Sequence, residues 1–151
     1  SGELAGFERE ARTVVHPGSA QGRLAGGCLS IISAMAGTPY FPDFDGKIVF
    51  LEEVGEKAYR IDRLLVQLRQ SGALDRCAGI VFGAIRPVGA EDSEARLIAR
   101  FIAEQTAGLG IPVLFGIDAG HGTDNLALPL GVRARIDSDR RRLIVAEAAV
   151  S

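Results

Sequence analysis

Three short apolar runs recur along the chain: Lys47-Ile48-Val49-Phe50-Leu51, Gly79-Ile80-Val81-Phe82-Gly83 and Pro112-Val113-Leu114-Phe115-Gly116-Ile117. Each is continuous and rich in β-branched or aromatic residues, the pattern of a strand covered on both faces. Between the first two, Ile61, Leu64, Leu65 and Leu68 fall at i, i+3, i+4 and i+7, while Arg60, Asp62, Arg63, Gln67 and Arg69 lie elsewhere on the cylinder. This spacing predicts a helix from about Glu56 to Gln70, ended by Ser71-Gly72. A second helix, from about Asp92 to Thr106, is predicted to bury Leu97, Ile98, Phe101 and Ile102 and to end at Gly108. The order is β-α-β-α-β, and right-handed crossovers make the three strands parallel members of one sheet.

The flanks carry weaker patterns. Residues 1–10 are small and charged and read as a lead-in or the tail of a linker, with Arg12-Thr13-Val14-Val15 as a short strand stopped by His16-Pro17-Gly18. The glycine-rich stretch from Gly22 to Gly27 leads into a helix with Leu29, Ile32 and Met35 on one side, Cys28 and Ile31 beside them, and Gly37 and Pro39 as stop signals. Gly26-Gly27 would offer amides to an anion at that helix start. It has neither the Lys-Ser/Thr of a phosphate loop nor the preceding strand of a dinucleotide fingerprint, so tight packing is the preferred reading. Near the end, Val132, Ala134 and Ile136 alternate with Arg133 and Arg135, and Leu143-Ile144-Val145 returns after a turn at Asp137-Ser138-Asp139. That is a half-exposed hairpin. The fold expected is α/β: a parallel central sheet, flanking helices and an additional antiparallel layer.

The composition sets limits on this picture. The chain has 151 residues, 47% apolar and 24% charged, which suits one globular domain with a real core. A net charge of -2 gives nucleic-acid binding no electrostatic support, and Arg140-Arg141-Arg142 reads as a solvated turn. Cys28 and Cys77 sit among apolar or small neighbours and read as core-type free thiols, with no disulfide or metal framework. No apolar run reaches the roughly 18 to 20 residues of a membrane span. The chain opens on Ser1-Gly2-Glu3 without Met, which is compatible with an upstream segment.

Each parallel strand ends in a polar loop, so the three loops open on one edge of the sheet, where ligands collect in such folds. Its occupants are Glu52 and Glu53, Arg86, and Asp118 with His121. Glycines flank His121 on both sides and expose an imidazole whose ordinary pKa, about 6.5, suits proton transfer. The alternative is a surface histidine with no partner. Glu52 leaves a buried strand and could orient His121 by accepting its Nδ1 proton. Alternatively, Glu52, Glu53 or both simply favour the N-terminus of the following helix. Glu53 is the fallback for the orienting acid. No serine lies in a Gly-x-Ser-x-Gly elbow and neither cysteine has a polar, exposed setting, so the nucleophile is missing. A metal site of Glu52, Asp118 and His121 is the weaker use of the same groups, because it has no second histidine or cysteine pair.

Four segments in order resemble the C-terminal half of the LD-carboxypeptidases, the serine peptidases of family S66, also called muramoyltetrapeptide carboxypeptidases, with the microcin-immunity peptidases as relatives. They are Gly22-Arg23-Leu24-Ala25-Gly26-Gly27-Cys28-Leu29-Ser30; Gly37-Thr38-Pro39-Tyr40; Leu51-Glu52-Glu53-Val54-Gly55-Glu56 continuing through Tyr59-Arg60-Ile61-Asp62-Arg63-Leu64; and Gly120-His121 with Leu128-Pro129-Leu130-Gly131. Their order and spacing extend the likeness from about Val14 onward.

The resemblance implies a two-domain enzyme with a Ser-Glu-His triad. An N-terminal domain, absent here, would carry the serine and the oxyanion hole. Residues 14–151 would form the C-terminal domain, of swivelling β/β/α type, after a lead-in at 1–13. The matching positions are Glu52 as orienting acid and His121 as general base, with no cofactor and no metal. The implied substrate is a murein tetrapeptide, cleaved between the L-centre of a diamino acid and D-alanine. The implied setting is cytoplasmic peptidoglycan recycling by a homodimer, without nucleic-acid or membrane partners. One departure is Cys28, where the family usually has Asn after the glycine pair, so the hydrogen bond of that amide is not carried over. On this reading the chain alone is inactive. The rival reading is a non-catalytic α/β binding or interaction module on the same scaffold.

Overall fold

The computed structural model describes residues 6–89, 92–118 and 128–146. Eight strands, β1 (Phe7–Glu10), β2 (Thr13–His16), β3 (Ser19–Cys28), β4 (Ile48–Val54), β5 (Gly79–Arg86), β6 (Val113–Phe115), β7 (Arg133–Asp137) and β8 (Arg142–Val145), accompany helices α1 (Leu29–Met35), α2 (Ala58–Gln70) and α3 (Asp92–Thr106). The strands pair in the order β1-β8-β7-β3-β4-β5-β6-β2. The centre, β3 to β6, is parallel as expected, but it has four strands where the apolar runs predict three.

The additional strand is β3. The glycine-rich stretch that leads into α1, for which no strand was expected, is the longest strand described, at ten residues. Ser19 to Arg23 pair antiparallel with β7, and Leu24 to Cys28 pair parallel with β4. Its glycines are there for close approach. A Cβ on Gly26 would lie 1.9 Å from the Phe50 carbonyl oxygen, and the residue holds φ +133°, so only glycine fits. This is the tight packing preferred from sequence. A second correction concerns Phe7–Glu10, expected to be a lead-in, which pairs antiparallel with β8 at the sheet edge. Two of the three arginines read as a solvated turn are tied to that strand: Arg141 Nη2 lies 2.6 Å from Glu10 Oε1, and Arg142 pairs with Glu8.

Both faces of the central strands are covered, which explains their unbroken apolar runs. On one face Leu29, Ile32, Ile61, Leu65, Leu68, Ile98 and Ile102 from the helices pack on Val49, Leu51, Ile80, Phe82 and Val113. On the other, Leu24, Ile48, Phe50, Val81 and Leu114 meet Ala134, Ile136, Leu143 and Val145 of the antiparallel layer. The architecture is therefore β/β/α, as expected. Each of these fully buried aliphatic side chains contributes roughly 1.5–3 kcal/mol. Leu97, expected in the core, is 38% exposed. Ile98 and Ile102, four residues apart, take the core-facing stripe of α3, and Leu97 lies a helical step to one side.

Cys77 is a buried thiol, pushed up to about 11 by that burial. Cys28 departs from the core-type expectation, being half-buried among polar atoms. No helix among the described residues is long and apolar enough to cross a membrane.

Candidate active site

The end of β4 sorts two adjacent carboxylates onto opposite faces, because strand side chains alternate. Leu51 belongs to the helix-side core, so Glu53 faces the helices and Glu52 faces the antiparallel layer. Glu53 is 5% exposed. Its Oε2 accepts from the Ser30 amide at 2.8 Å and from the Cys28 thiol at 3.3 Å, and its Oε1 accepts from the Val54 amide at 3.2 Å. Cys28, the residue at the α1 N-cap, makes no capping bond of its own, so Glu53 supplies what an N-cap side chain ordinarily would. The acid-at-a-helix role expected for Glu52 or Glu53 thus belongs to Glu53, but at α1, the helix before its strand. The following helix, α2, takes its carboxylate from α3: Glu94 Oε2 accepts from the Ala58 amide at 2.8 Å.

Strand β5 reaches the same edge with a bulge. Leu51 pairs with Phe82 and Glu53 pairs with Ile85, so one extra residue is inserted on β5 around Gly83-Ala84. Phe82 and Ile85 therefore both face the helices, and Arg86, which pairs with Val54, turns to the other side, the one Glu52 faces. Without the bulge, Arg86 would follow Phe82 onto the helix side; bulges near functional edges commonly re-aim a side chain in this way.

Between the carboxyl ends of β5 and β6 lies a cleft of about 240 Å³, lined by Arg12, Arg86, Phe115, Gly116 and Asp118 among others. Arg12 Nη2 is 3.5 Å from Asp118 Oδ1. The Arg12 stem crosses Gly116, where an added Cβ would come within 2.9 Å of it at φ +85°. Glycine at 116 is thus what lets Arg12 lie over the strand end.

The structure therefore brings Glu52, Arg86 and Asp118 to one edge, as expected from sequence. His121 lies outside the described residues. The residues flanking its segment, Ile117 and Leu128, both pack in the core between the two β layers, on the side Glu52 faces. The other histidine, His16, is structural: its Nε2 is 3.0 Å from Thr106 Oγ1, whose hydroxyl donates to the Ile102 carbonyl at 2.6 Å. Among the described residues no group of three or more His, Cys, Asp or Glu could hold a metal ion. Sequence reasoning missed Arg12 as a cleft residue. Its sequence signal is faint, a glycine in the segment after the third apolar run.

Comparison with known proteins identifies the family and the fold. Residues 21–136 match the family described as the LD-carboxypeptidase C-terminal domain. A Bacillus subtilis protein named "probable murein peptide carboxypeptidase" is 35% identical over 142 residues, 92% of this chain and 44% of its own length. The murein tetrapeptide carboxypeptidase of Pseudomonas aeruginosa is 33% identical over 146 residues, covering 92% of this chain and 46% of its own. The crystal structure of muramoyltetrapeptide carboxypeptidase from Oxalobacter formigenes superposes with a TM-score of 0.79 at 29% identity, covering 97% of this chain and 52% of that one. The chain thus spans about half the length of the relatives it matches. With most of its residues inside the family match and the same fold, the chain belongs to the LD-carboxypeptidase C-terminal domain family.

Proposed function

We propose that residues 14–151 are the acid/base half of a serine LD-carboxypeptidase acting on murein tetrapeptides, with Glu52 and His121 completing a triad whose serine lies in a separate N-terminal domain. The observation that carries this reading is the sorting of the two carboxylates. Glu53 is engaged in holding α1, whereas Glu52 faces the side on which the chain leaves at Ile117 and returns at Leu128, bracketing His121. The alternation supports Glu52 over its neighbour as the orienting acid.

In this mechanism the serine Oγ attacks the carbonyl carbon of the diamino acid while Nε2 of His121 takes the hydroxyl proton. Glu52 accepts the Nδ1 proton in a hydrogen bond, fixing the tautomer and stabilising the imidazolium. His121 then passes its proton to the nitrogen of D-alanine as the amide bond breaks, and water hydrolyses the acyl-enzyme by the same route in reverse.

The test measures D-alanine release from a murein tetrapeptide. The full-length two-domain protein is expected to release it and the isolated chain is not. His121→Ala should lower kcat of the full-length protein by about 10⁴-fold or more. Release by the isolated chain, or full activity in His121→Ala, would sink the assignment.

A further inference from the structure

The outer face of the antiparallel layer gathers positive charge in a chain whose net charge is -2. Strands β3 and β7 set Arg23 directly opposite Arg133 and Gln21 directly opposite Arg135, and all four residues are exposed. Alternation points them away from the core, which takes Leu24, Ala134 and Ile136 of the same strands. Residues directly opposite on antiparallel strands stand about 5 Å apart, and a like-charged pair there is destabilising. Elsewhere in this layer carboxylates answer the arginines: Arg140 meets Asp137, Arg141 meets Glu10 and Arg142 meets Glu8. Neither Arg23 nor Arg135 pairs with a carboxylate among the described residues.

These arginines line a shallow depression of about 620 Å³, shared with Gln21, Ile144 and Ala146 and with no carboxylate among its described lining residues. That size lies within the roughly 300–1,000 Å³ of small-molecule sites. Arg23 is fixed at its rim, because Nη1 donates to the Gly131 carbonyl at 2.6 Å, a bond that occupies one of the five N–H donors of a guanidinium. Arg135 lies diagonally across from it, roughly 7–8 Å away, with Arg133, which has a partner of its own, between them. We propose that this depression binds a small anion carrying two or more linked phosphate groups, gripped by Arg23 and Arg135. A phosphate carries nearly two charges and three strong acceptor oxygens, matches the planar guanidinium fork, and in linked pairs spans the diagonal. A lone carboxylate has one charge and answers one arginine. A nucleic-acid backbone needs a longer cationic track, and here Asp137, Glu8 and Glu10 of the same outer face bound the patch. The site is separate from the candidate active edge: Arg23 precedes Cys28, the register partner of Glu52, by five residues, or roughly 16 Å along β3. It stands independently of the carboxypeptidase reading.

The experiment is isothermal titration calorimetry of the full-length protein with tripolyphosphate, with citrate as a tricarboxylate, and with a short single-stranded oligonucleotide. Tripolyphosphate is expected to bind at one site per chain, and citrate at least about tenfold more weakly. Arg135→Ala, at an exposed position, should weaken tripolyphosphate binding by about tenfold or more, the size of one lost charge-assisted contact. Arg23→Ala should do the same, and Arg135→Lys should recover part of the loss. Arg140→Ala, whose cation faces Asp137 outside the depression, should bind as the wild type does. No tripolyphosphate binding by the wild type would overturn the proposal, and so would unchanged binding in Arg135→Ala and Arg23→Ala. Equal affinity for citrate would overturn the phosphate assignment, and tighter binding of the oligonucleotide would replace the small anion with a nucleic acid.

Discussion

The two sides of the central sheet use charge in opposite ways. On the helix side, polar groups are spent on helix ends: Glu53 serves the start of α1, Glu94 the start of α2, and His16 the last turn of α3. On the hairpin side no helix packs on the described strands, and Glu52 and Arg86 end their strands with no helix terminus to satisfy. Sequence adjacency therefore says little about role. One step along β4 leads from the proposed orienting acid, Glu52, to the carboxylate that caps α1.

The largest test of that contrast exchanges the two acids. Glu52→Gln should lower kcat of the full-length protein by about 10³–10⁴-fold, as loss of a triad acid does, with thermal unfolding nearly unchanged. Glu53→Gln should do the reverse. It weakens a buried charge-assisted cap and should cost about 1–3 kcal/mol, a fall in Tm of about 2–4 °C per kcal/mol for a chain of this size, with kcat held within about tenfold. Loss of activity in both without a change in Tm would erase the distinction between the faces.

A second test reads the helix-side core through Cys77. The unfolded thiol releases its proton near the ordinary value of 9.0, and the folded one keeps it to about 11. The unfolded state thus binds fewer protons across that interval, so stability falls as pH rises from about 9 to about 11, by at most about 2–3 kcal/mol from this group. Urea unfolding of wild type and Cys77→Ala across this range should show a shallower slope in the variant. Parallel slopes would show that the thiol is not shielded. The smallest effect belongs to Glu94→Gln, expected to cost about 0.5–2 kcal/mol and to speed amide exchange at Ala58. Unchanged exchange there would mean that α2 holds its own start.

Much of this was legible in the chain. The strands β4, β5 and β6 announce themselves because covering both faces leaves no polar positions to break the run, and α2 and α3 show their buried stripes. The strand β3 does not, since Ser-Ala-Gln-Gly-Arg-Leu-Ala-Gly-Gly-Cys is selected for the nearness of its neighbours and not for strand propensity. A Cβ on Gly22 would come within 2.5 Å of the Gly46 carbonyl oxygen, a constraint written in the partner chain segment. Likewise β1 exists through residues 142–145, too distant in sequence for any local pattern to show. At the edge, Glu52, Arg86 and Asp118 were legible from where the apolar runs stop. That Glu53 caps α1 was not, because it depends on where α1 begins relative to β4. The bulge that turns Arg86 was also hidden, for Gly83-Ala84 looks like the ordinary end of a strand.

The pairing of β1 with β8 has a topological consequence. Phe7 lies opposite Val145 on neighbouring strands, so the described chain arrives and departs side by side on one margin of the molecule. A few residues would bridge that gap, and the polypeptide could be reopened at the exposed Ser71-Gly72 turn as a circular permutant with every strand still in its place. The order of the sheet is a property of its contacts and not of where the chain happens to start.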